Sequence, residues 1–596
     1  MAMTTIATRL AELRAIMRRE KLAAFIFPST DPHHGEYVPD HWKGREWISG
    51  FDGSAGTAVV TLKGAALWTD SRYFIAAEEQ LKDTEFMLMK ERVEGTPSIA
   101  QWIGTQVEQA DSTEVGIDGM VADTRTVENF IDELRREGGL TLRTNLDPLK
   151  EIWVDRPCVP QNAIEIHPLT LAGEDVKSKL QRVKDALRCC HADGMLVSAL
   201  DDIAWMLNIR GTDVHCNPVA VAYLLIAPDA VTLFTDAAKV TPEVNDYLTS
   251  NGVRIDDYAH IRKGIEDYFG YNILLDPDET NYTLYKDASK HRVVREKSPV
   301  PTMKAVKNNA EIEGFRRAML YDGMAMCRFL AWLNPAVEKG GQTEMSVEAV
   351  LRNFREEQPD FRDISFDTIS AYGAHGAIVH YEATPETDVP LKAEGLLLLD
   401  SGAQYRCGTT DITRTVALGA LTDEQKKVYT LVLKGHIRLE MLKFPAGASG
   451  TQLDAVARMD MWREGMNYLH GTGHGVGSYL NVHEGPHQIR MEWKPTPLQP
   501  GMTVTDEPGI YLAGRFGVRI ENTLLVTPYM ETEFGRFLQF DSLTLCPIDK
   551  TPIVGDMLAP EEKAWLNDYH RHVYETLAPH LDDDTRKWLE QATQPL

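Results

Sequence analysis

The sequence predicts a chain of mixed α/β and α+β class, with two successive α/β domains in front of an α+β domain that carries the chemistry. Three observations predict it. The length of 596 residues exceeds what one hydrophobic core supports. One order of helix, strand, turn and paired strands occurs twice in the first half. Beyond Lys297–Pro301 that order gives way to a long helical pattern, then to glycine-punctuated strands with ionisable residues near their ends.

In the first copy, a helical stretch over Ile6–Leu22 leads to a strand at Ala23–Phe27. The turn-rich Trp47–Gly56 follows, and then strands at Thr57–Leu62 and Ala65–Thr69. In the second, a helix over Val176–Cys190 leads to the strand Met195–Ser198, the segment Trp205–Gly211, and strands at Val219–Ile226 and Ala230–Thr235. The copies close on similar phrases, Leu67-Trp68-Thr69-Asp70 and Leu233-Phe234-Thr235-Asp236. Pro157 and Pro160 mark the linker, which gives domains at 1–158 and 159–298. The third domain, 299–596, opens on a helix from Asn308 to Leu333. It ends in polar helical stretches after Pro547, read as a cap or an interface element.

Composition narrows the function classes. With 43% hydrophobic and 25% charged residues, the chain is an ordinary folded protein. Sixty-two basic against 88 acidic residues give a net charge of −26, which argues against nucleic acid and anionic membranes as partners. The same surface favours substrates with a free ammonium group. Seven scattered cysteines, an odd number without metal-ligand spacing, do not form a disulfide framework. Met1–Leu10 has no signal-peptide pattern, and the longest apolar runs, such as Val219–Ala227, are strand-length. A cytoplasmic protein is expected.

Five ionisable residues stand out together. Leu396–Leu399 is a buried-strand run that ends on Asp400, and Asp411 follows eleven residues later in the alternating stretch Thr409–Val416. A hairpin turning near Tyr405–Gly408 would set the two carboxylates roughly opposite each other. Glu507 and Glu521 repeat the design on strands at Met502–Glu507 and Val518–Val526, with a turn at Gly514 midway. Carboxylates gathered in one cavity repel by several kcal/mol per close pair unless cations neutralise them. The fifth residue, His474, lies in Gly471–Gly477, where glycine at every second position leaves one strand face bare for close approach of metal and substrate; His470 shares the face of His474. Taken singly, each signal has a plainer reading: a turn or cap aspartate, a solvated strand glutamate, a flexible Gly-His-Gly loop. Five in order, with matching hairpins, point to a two-metal site.

The motifs Gly471–Gly477, Thr505–Gly509 and Arg519–Asn522 resemble the signatures of the pita-bread metallopeptidases. The chain most resembles the long, three-domain, cytosolic Xaa-Pro aminopeptidases (aminopeptidase P) of that family. The likeness extends to Gly50–Thr57, Trp68–Phe74, Asp202–Trp205, Asn481–Pro486, Trp565–His570 and Thr593–Leu596. It implies two creatinase-like α/β domains before a pita-bread catalytic domain. It implies Asp400, Asp411, His474, Glu507 and Glu521 as metal ligands, His380, His483 and His470 as substrate-site histidines, and Tyr511 and Arg519 as supports of the ligands. Arg72 becomes a candidate contact for the far end of the peptide, its plainer reading being a surface salt bridge. A homodimer is implied as well.

An oxygen-rich site with a single imidazole suits Mn²⁺, with Co²⁺ or Zn²⁺ able to substitute. Two such ions roughly 3.5–4 Å apart would activate a shared water. Glu507 would accept its proton and pass it to the leaving nitrogen, with His380 and His483 on the substrate. The expected substrate is a peptide with proline at position 2, whose scissile bond lacks an N–H and fixes φ. The alternatives are a prolidase-type Xaa-Pro dipeptidase, a creatinase (which needs no metal ligands), and a non-catalytic pita-bread binding module.

Overall fold

A computed structural model describes residues 5–107 and 112–596; the first four residues of the Met1–Leu10 segment therefore lie outside the described residues. The chain divides into two compact units, one of Met1–Pro168 with Glu174–Val300, the other of Leu169–Gly173 with Pro301–Leu596.

The first unit contains the duplication as two six-stranded sheets of one topology. In spatial order the first runs Phe86–Lys90, Ala65–Thr69, Thr57–Thr61, Leu22–Pro28, Glu114–Ile117, Thr141–Arg143. The second runs Val253–Asp256, Val231–Phe234, Tyr223–Ile226, Gly194–Val197, Asn272–Leu275, Arg292–Arg295. In both, the first and last pairs are parallel and the second and third pairs are antiparallel. Each sheet is entered from a helix, Ile6–Glu20 or Val176–Cys189, capped by Thr5 or Asp175 accepting from the first-turn N–H groups. The predicted strand Val219–Ile226 is paired only from Tyr223. Val219–Ala222 is buried, but Asp213 takes the Val221 N–H on its carboxylate, which replaces a strand partner.

The short helix Val300–Ala305 leads to the second unit's long helix Asn309–Lys339, begun by a capping box between Asn308 and Glu311. It runs six residues beyond the expected end at Leu333 and through Pro335, because Ala336 and Val337 are buried and hold the last turn. Three antiparallel strands, Ile369–Tyr372, Leu396–Ser401 and Ile412–Ala417, form one sheet; Lys443–Pro445, Gly535–Ser542, Asn522–Thr532 and Thr503–Asp506 form another. Smaller ribbons pair Gly473–Gly475 with Glu484–Ile489 and Gly509–Leu512 with Phe516–Arg519. The tail is not peripheral. Leu566, Tyr569, Val573, Leu577 and Leu589 join one apolar core with Val428, Val432 and Ile437 of the helix Asp423–Glu440 and with Val518 and Ile520. Among the described residues no helix is long and apolar enough to cross a membrane.

Candidate metal centre

The two hairpins predicted from spacing exist, with one difference in register. Asp506 pairs with Asn522 and Gly509 with Arg519 across a turn at Gly514 (φ +70°), so Glu507 stands directly opposite Glu521. In the other hairpin Asp400 pairs with Thr413 and Ser401 with Ile412, which puts Asp411 just outside the ladder and one diagonal step from Asp400. The two aspartates share a face without being directly opposite. The hairpins also join each other, since the Glu521 N–H donates to Thr413 O at 3.0 Å and the Arg519 N–H to Thr415 Oγ1 at 3.1 Å.

His474 enters from the ribbon strand Gly473–Gly475. Its glycines serve the protein's own backbone: a Cβ on Gly473 would stand 1.8 Å from Thr505 O, and one on Gly475 2.5 Å from Glu484 O. The bare face predicted to admit metal and substrate is therefore filled by neighbouring strands. That tight packing carries His474 to its neighbours. Its Nε2 lies 3.4 Å from Asp411 Oδ2 and 3.4 Å from Glu507 Oε1, and ligand atoms of Asp411, His474 and Glu521 fall within 4.8 Å of one another.

The surroundings orient these groups and leave them short of positive charge. Arg519 is 2% exposed and grips Asp400 Oδ2 with Nε (3.0 Å) and Nη2 (2.6 Å), while its Nη1 donates to the Tyr511 hydroxyl at 2.7 Å. Tyr511 in turn meets His470 Nε2 at 2.8 Å, and His470 Nδ1 lies 3.9 Å from Glu507 Oε2. Thr413 Oγ1 donates to Glu521 Oε2 at 2.8 Å, and Thr505 Oγ1 to Glu507 Oε1 at 3.2 Å. Asp400 Oδ1 is buried with no hydrogen-bond partner.

Burial, then the charges of Asp411, Asp400 and Glu507, push Glu521 well above the carboxylate range. Glu507 and Asp400 are pushed up by burial and by Asp411, against the opposing pull of nearby cationic groups. Burial works to lower the His474 imidazole, but its bond to Asp411 and the charge of Glu507 raise it instead. Asp400, Glu507 and Glu521, which resist ionising, together with the Asp411 carboxylate, one orphaned oxygen and one imidazole, are a donor set that fits two divalent cations.

The remaining predicted residues fall into two places. His483 packs edge-on to His474 with ring centroids 4.3 Å apart. His380 is half-buried between two anchors: Arg519 Nη2 reaches Val379 O at 3.4 Å, and Tyr381 Oη donates to Glu344 at 2.8 Å. Arg72 lies in the first unit, where Asp70 takes both its Nε (2.9 Å) and its Nη2 (2.8 Å). Sequence reasoning missed Thr413, Thr505 and the pair Arg458–Asp454. Arg458 is fully buried, donates to the carbonyls of Tyr468 and His470, and braces the loop that leads to His474. The four-residue spacing of Asp454 and Arg458 on one helix was the signal available.

Residues 313–528 match metallopeptidase family M24, and 536–596 match the C-terminal region of that family. Residues 9–142 and 155–311 each match the creatinase/prolidase N-terminal domain. The chain is 39% identical to "Xaa-Pro aminopeptidase 1" of Dictyostelium discoideum over 100% of its own length and 97% of the relative's. It is 41% identical to "Aminopeptidase P2" of Arabidopsis thaliana, over 96% of its own length and 86% of the relative's. Among solved structures, X-prolyl aminopeptidase from Caenorhabditis elegans, described as a cytosolic enzyme with a di-nuclear active site, superposes with a TM-score of 0.94 at 33% identity, covering both chains fully. Xaa-Pro dipeptidase from Bacillus anthracis covers 63% of this chain with a TM-score of 0.52 at 26% identity.

Proposed function

Because this chain belongs to metallopeptidase family M24, with creatinase-type domains ahead of the catalytic one, we infer that it is an Xaa-Pro aminopeptidase, a dinuclear metallopeptidase that releases the N-terminal residue from peptides with proline at position 2. The observation that carries the reading is the convergence of three buried carboxylates (Asp400, Asp411 and Glu521), the half-buried Glu507 and His474 in one cluster where Arg519 supplies the fixed positive charge.

Asp400, Asp411, His474, Glu507 and Glu521 would hold two divalent ions, for which the donor set favours Mn²⁺ over Co²⁺ or Zn²⁺. Such ions supply polarisation of the scissile carbonyl and a more acidic water. The chain's own residues do the rest. Glu507 has a raised proton affinity and touches both His474 and His470, which suits it to take a proton from the attacking water and return it to the departing proline nitrogen. His483, held against His474, and His380, held between Val379 and Tyr381, donate to the substrate and the developing oxyanion. Loss of one such donor costs about 2.7–4 kcal/mol of barrier. His470 lines the pocket, and Tyr511 and Arg519 fix Asp400.

Several finer features belong to the same proposal. Arg72, preorganised by Asp70, contacts the far end of the peptide. The three domains divide at 158/159 and 298/299, the enzyme is a homodimer, and it works in the cytoplasm.

The test is a substrate-length series under defined metal. Xaa-Pro-Xaa tripeptides should be cleaved with Mn²⁺ and spared after chelation, with a much lower kcat/KM for Xaa-Pro dipeptides. A preference for dipeptides would replace the reading with prolidase, and activity that survives complete metal removal would end it.

A further inference from the structure

Behind the metal centre lies a second group of ligand-type side chains that the peptidase reaction does not use. His436 and Glu440 sit one turn apart on the helix Asp423–Glu440, and Asp506 faces them from the strand Thr503–Asp506. All three are buried, His436 and Asp506 completely. One ligand atom from each lies within 4.8 Å of the others. We propose that His436, Glu440 and Asp506 form a third divalent-cation site, structural rather than catalytic, which pins this helix to the hairpin bearing Glu507 and Glu521.

The hydrogen bonds of the imidazole support this assignment. His436 Nδ1 lies 3.2 Å from the Asp506 carbonyl and 3.2 Å from Asp506 Oδ2, groups that accept, so Nδ1 carries the ring proton. Nε2 then presents its lone pair, and it has no hydrogen-bond partner although it is 3.3 Å from Glu440 Oε1. A lone pair facing a carboxylate is repulsive unless a cation or a proton lies between them. An imidazole whose N–H is tied to a carbonyl while the other nitrogen is left bare is the usual arrangement of a metal-ligating histidine. The 3.3 Å separation also equals the edge expected between two ligands about 2.0–2.1 Å from a tetrahedral zinc-type ion.

The carboxylates point the same way. Asp506 Oδ2 stands against the Nδ1 side of the ring, which leaves Asp506 Oδ1, buried with no hydrogen-bond partner, as the oxygen for an ion, while Glu440 Oε1 accepts from Asn522 Nδ2 at 2.7 Å and is thereby aimed at the cluster. Two carboxylates and a neutral imidazole neutralise one divalent ion. Asp506 and Asn522 are cross-strand partners, and each directly adjoins a proposed ligand of the catalytic pair, Glu507 or Glu521. A cation here would fix both glutamates from behind.

The experiment uses the full chain saturated with Zn²⁺ and freed of excess by gel filtration. Bound metal is counted by mass spectrometry for the wild type and for His436→Gln and Glu440→Gln, and anomalous diffraction is collected on wild-type crystals at the zinc edge. Three ions per chain are expected, falling to two in either variant, with an anomalous peak near His436 Nε2. Two ions per chain with no peak at the cluster overturns the proposal and means that a proton fills this role. If both variants fail to fold, the wild-type anomalous map decides alone. Peptidase activity and the peaks at the catalytic pair are read separately, so failure here and failure of the aminopeptidase reading cannot be confused.

Discussion

Replacing Thr413 with valine keeps the shape of the side chain and removes one hydroxyl. That hydroxyl is fully buried, donates to Glu521 Oε2 at 2.8 Å, and lies 3.3 Å from Arg519 Nε. The acceptor is charged when cations are bound and is shielded from water, so the bond is worth about 1.5–3 kcal/mol. No cavity is opened, and the loss falls on the state in which Glu521 must hold its orientation against Asp411, Asp400 and Glu507. At about 1.4 kcal/mol per factor of ten, the affinity for the metal pair should fall by about 10–100-fold, the range usual for groups that orient metal ligands. Metal-free protein titrated with Mn²⁺ gives the measurement, following the free-ion resonance and, in parallel, turnover of an Xaa-Pro-Xaa peptide. Thr413→Val should shift both midpoints together while kcat at saturating Mn²⁺ stays within a few fold. Midpoints within threefold of wild type would refute the reasoning, because Glu521 would then be either no ligand or not one that Thr413 orients.

Gly473→Ala should abolish metal binding and activity, because its Cβ would meet a backbone carbonyl at 1.8 Å and push His474 away from Glu507; Gly471→Ala, whose nearest atom is 3.5 Å away, should retain both in a metal-binding assay. Glu507→Gln should eliminate turnover with an unchanged circular dichroism spectrum, and an active variant would remove Glu507 as the proton carrier. His570 is buried, accepts the Ile548 N–H at 3.0 Å, and is lowered to about 3 by burial and then by Lys550 and Arg414. As pH falls below about 6.5 the unfolded chain binds a proton there and the folded chain does not, so stability declines with acid by up to about 1.4 kcal/mol per pH unit until about pH 3. His570→Gln should therefore give a melting temperature that is lower at pH 7 but falls less steeply toward pH 5.

Much of the site was legible because it is written in local register. Glu507 and Glu521 face each other since both lie seven residues from Gly514, and a hairpin preserves that symmetry through its ladder. The hairpin holding Asp400 and Asp411 was legible only approximately. Its turn at Arg406–Cys407 is followed by two residues, Thr410 and Asp411, that leave the ladder, and an alternating pattern does not reveal such a break. The duplication was legible in the same local way, through repeated phrases at matching strand ends.

By itself, then, the sequence determined the two hairpins, the duplicated front half and the family, and it singled out the five residues proposed as ligands. These rest on residue type and on contacts between near neighbours in the chain. Tertiary structure alone decided what neutralises and aims those residues. Thr413 meets Glu521 across 108 positions, Arg519 meets Asp400 across 119, and Arg414 meets Tyr569 of the tail across 155. It also decided that the glycines beside His474 admit a neighbouring strand rather than a substrate, and that the helix continues through Pro335. Such partners have no fixed spacing, because their meeting depends on how separate elements pack, and packing is set by the shape of the whole core.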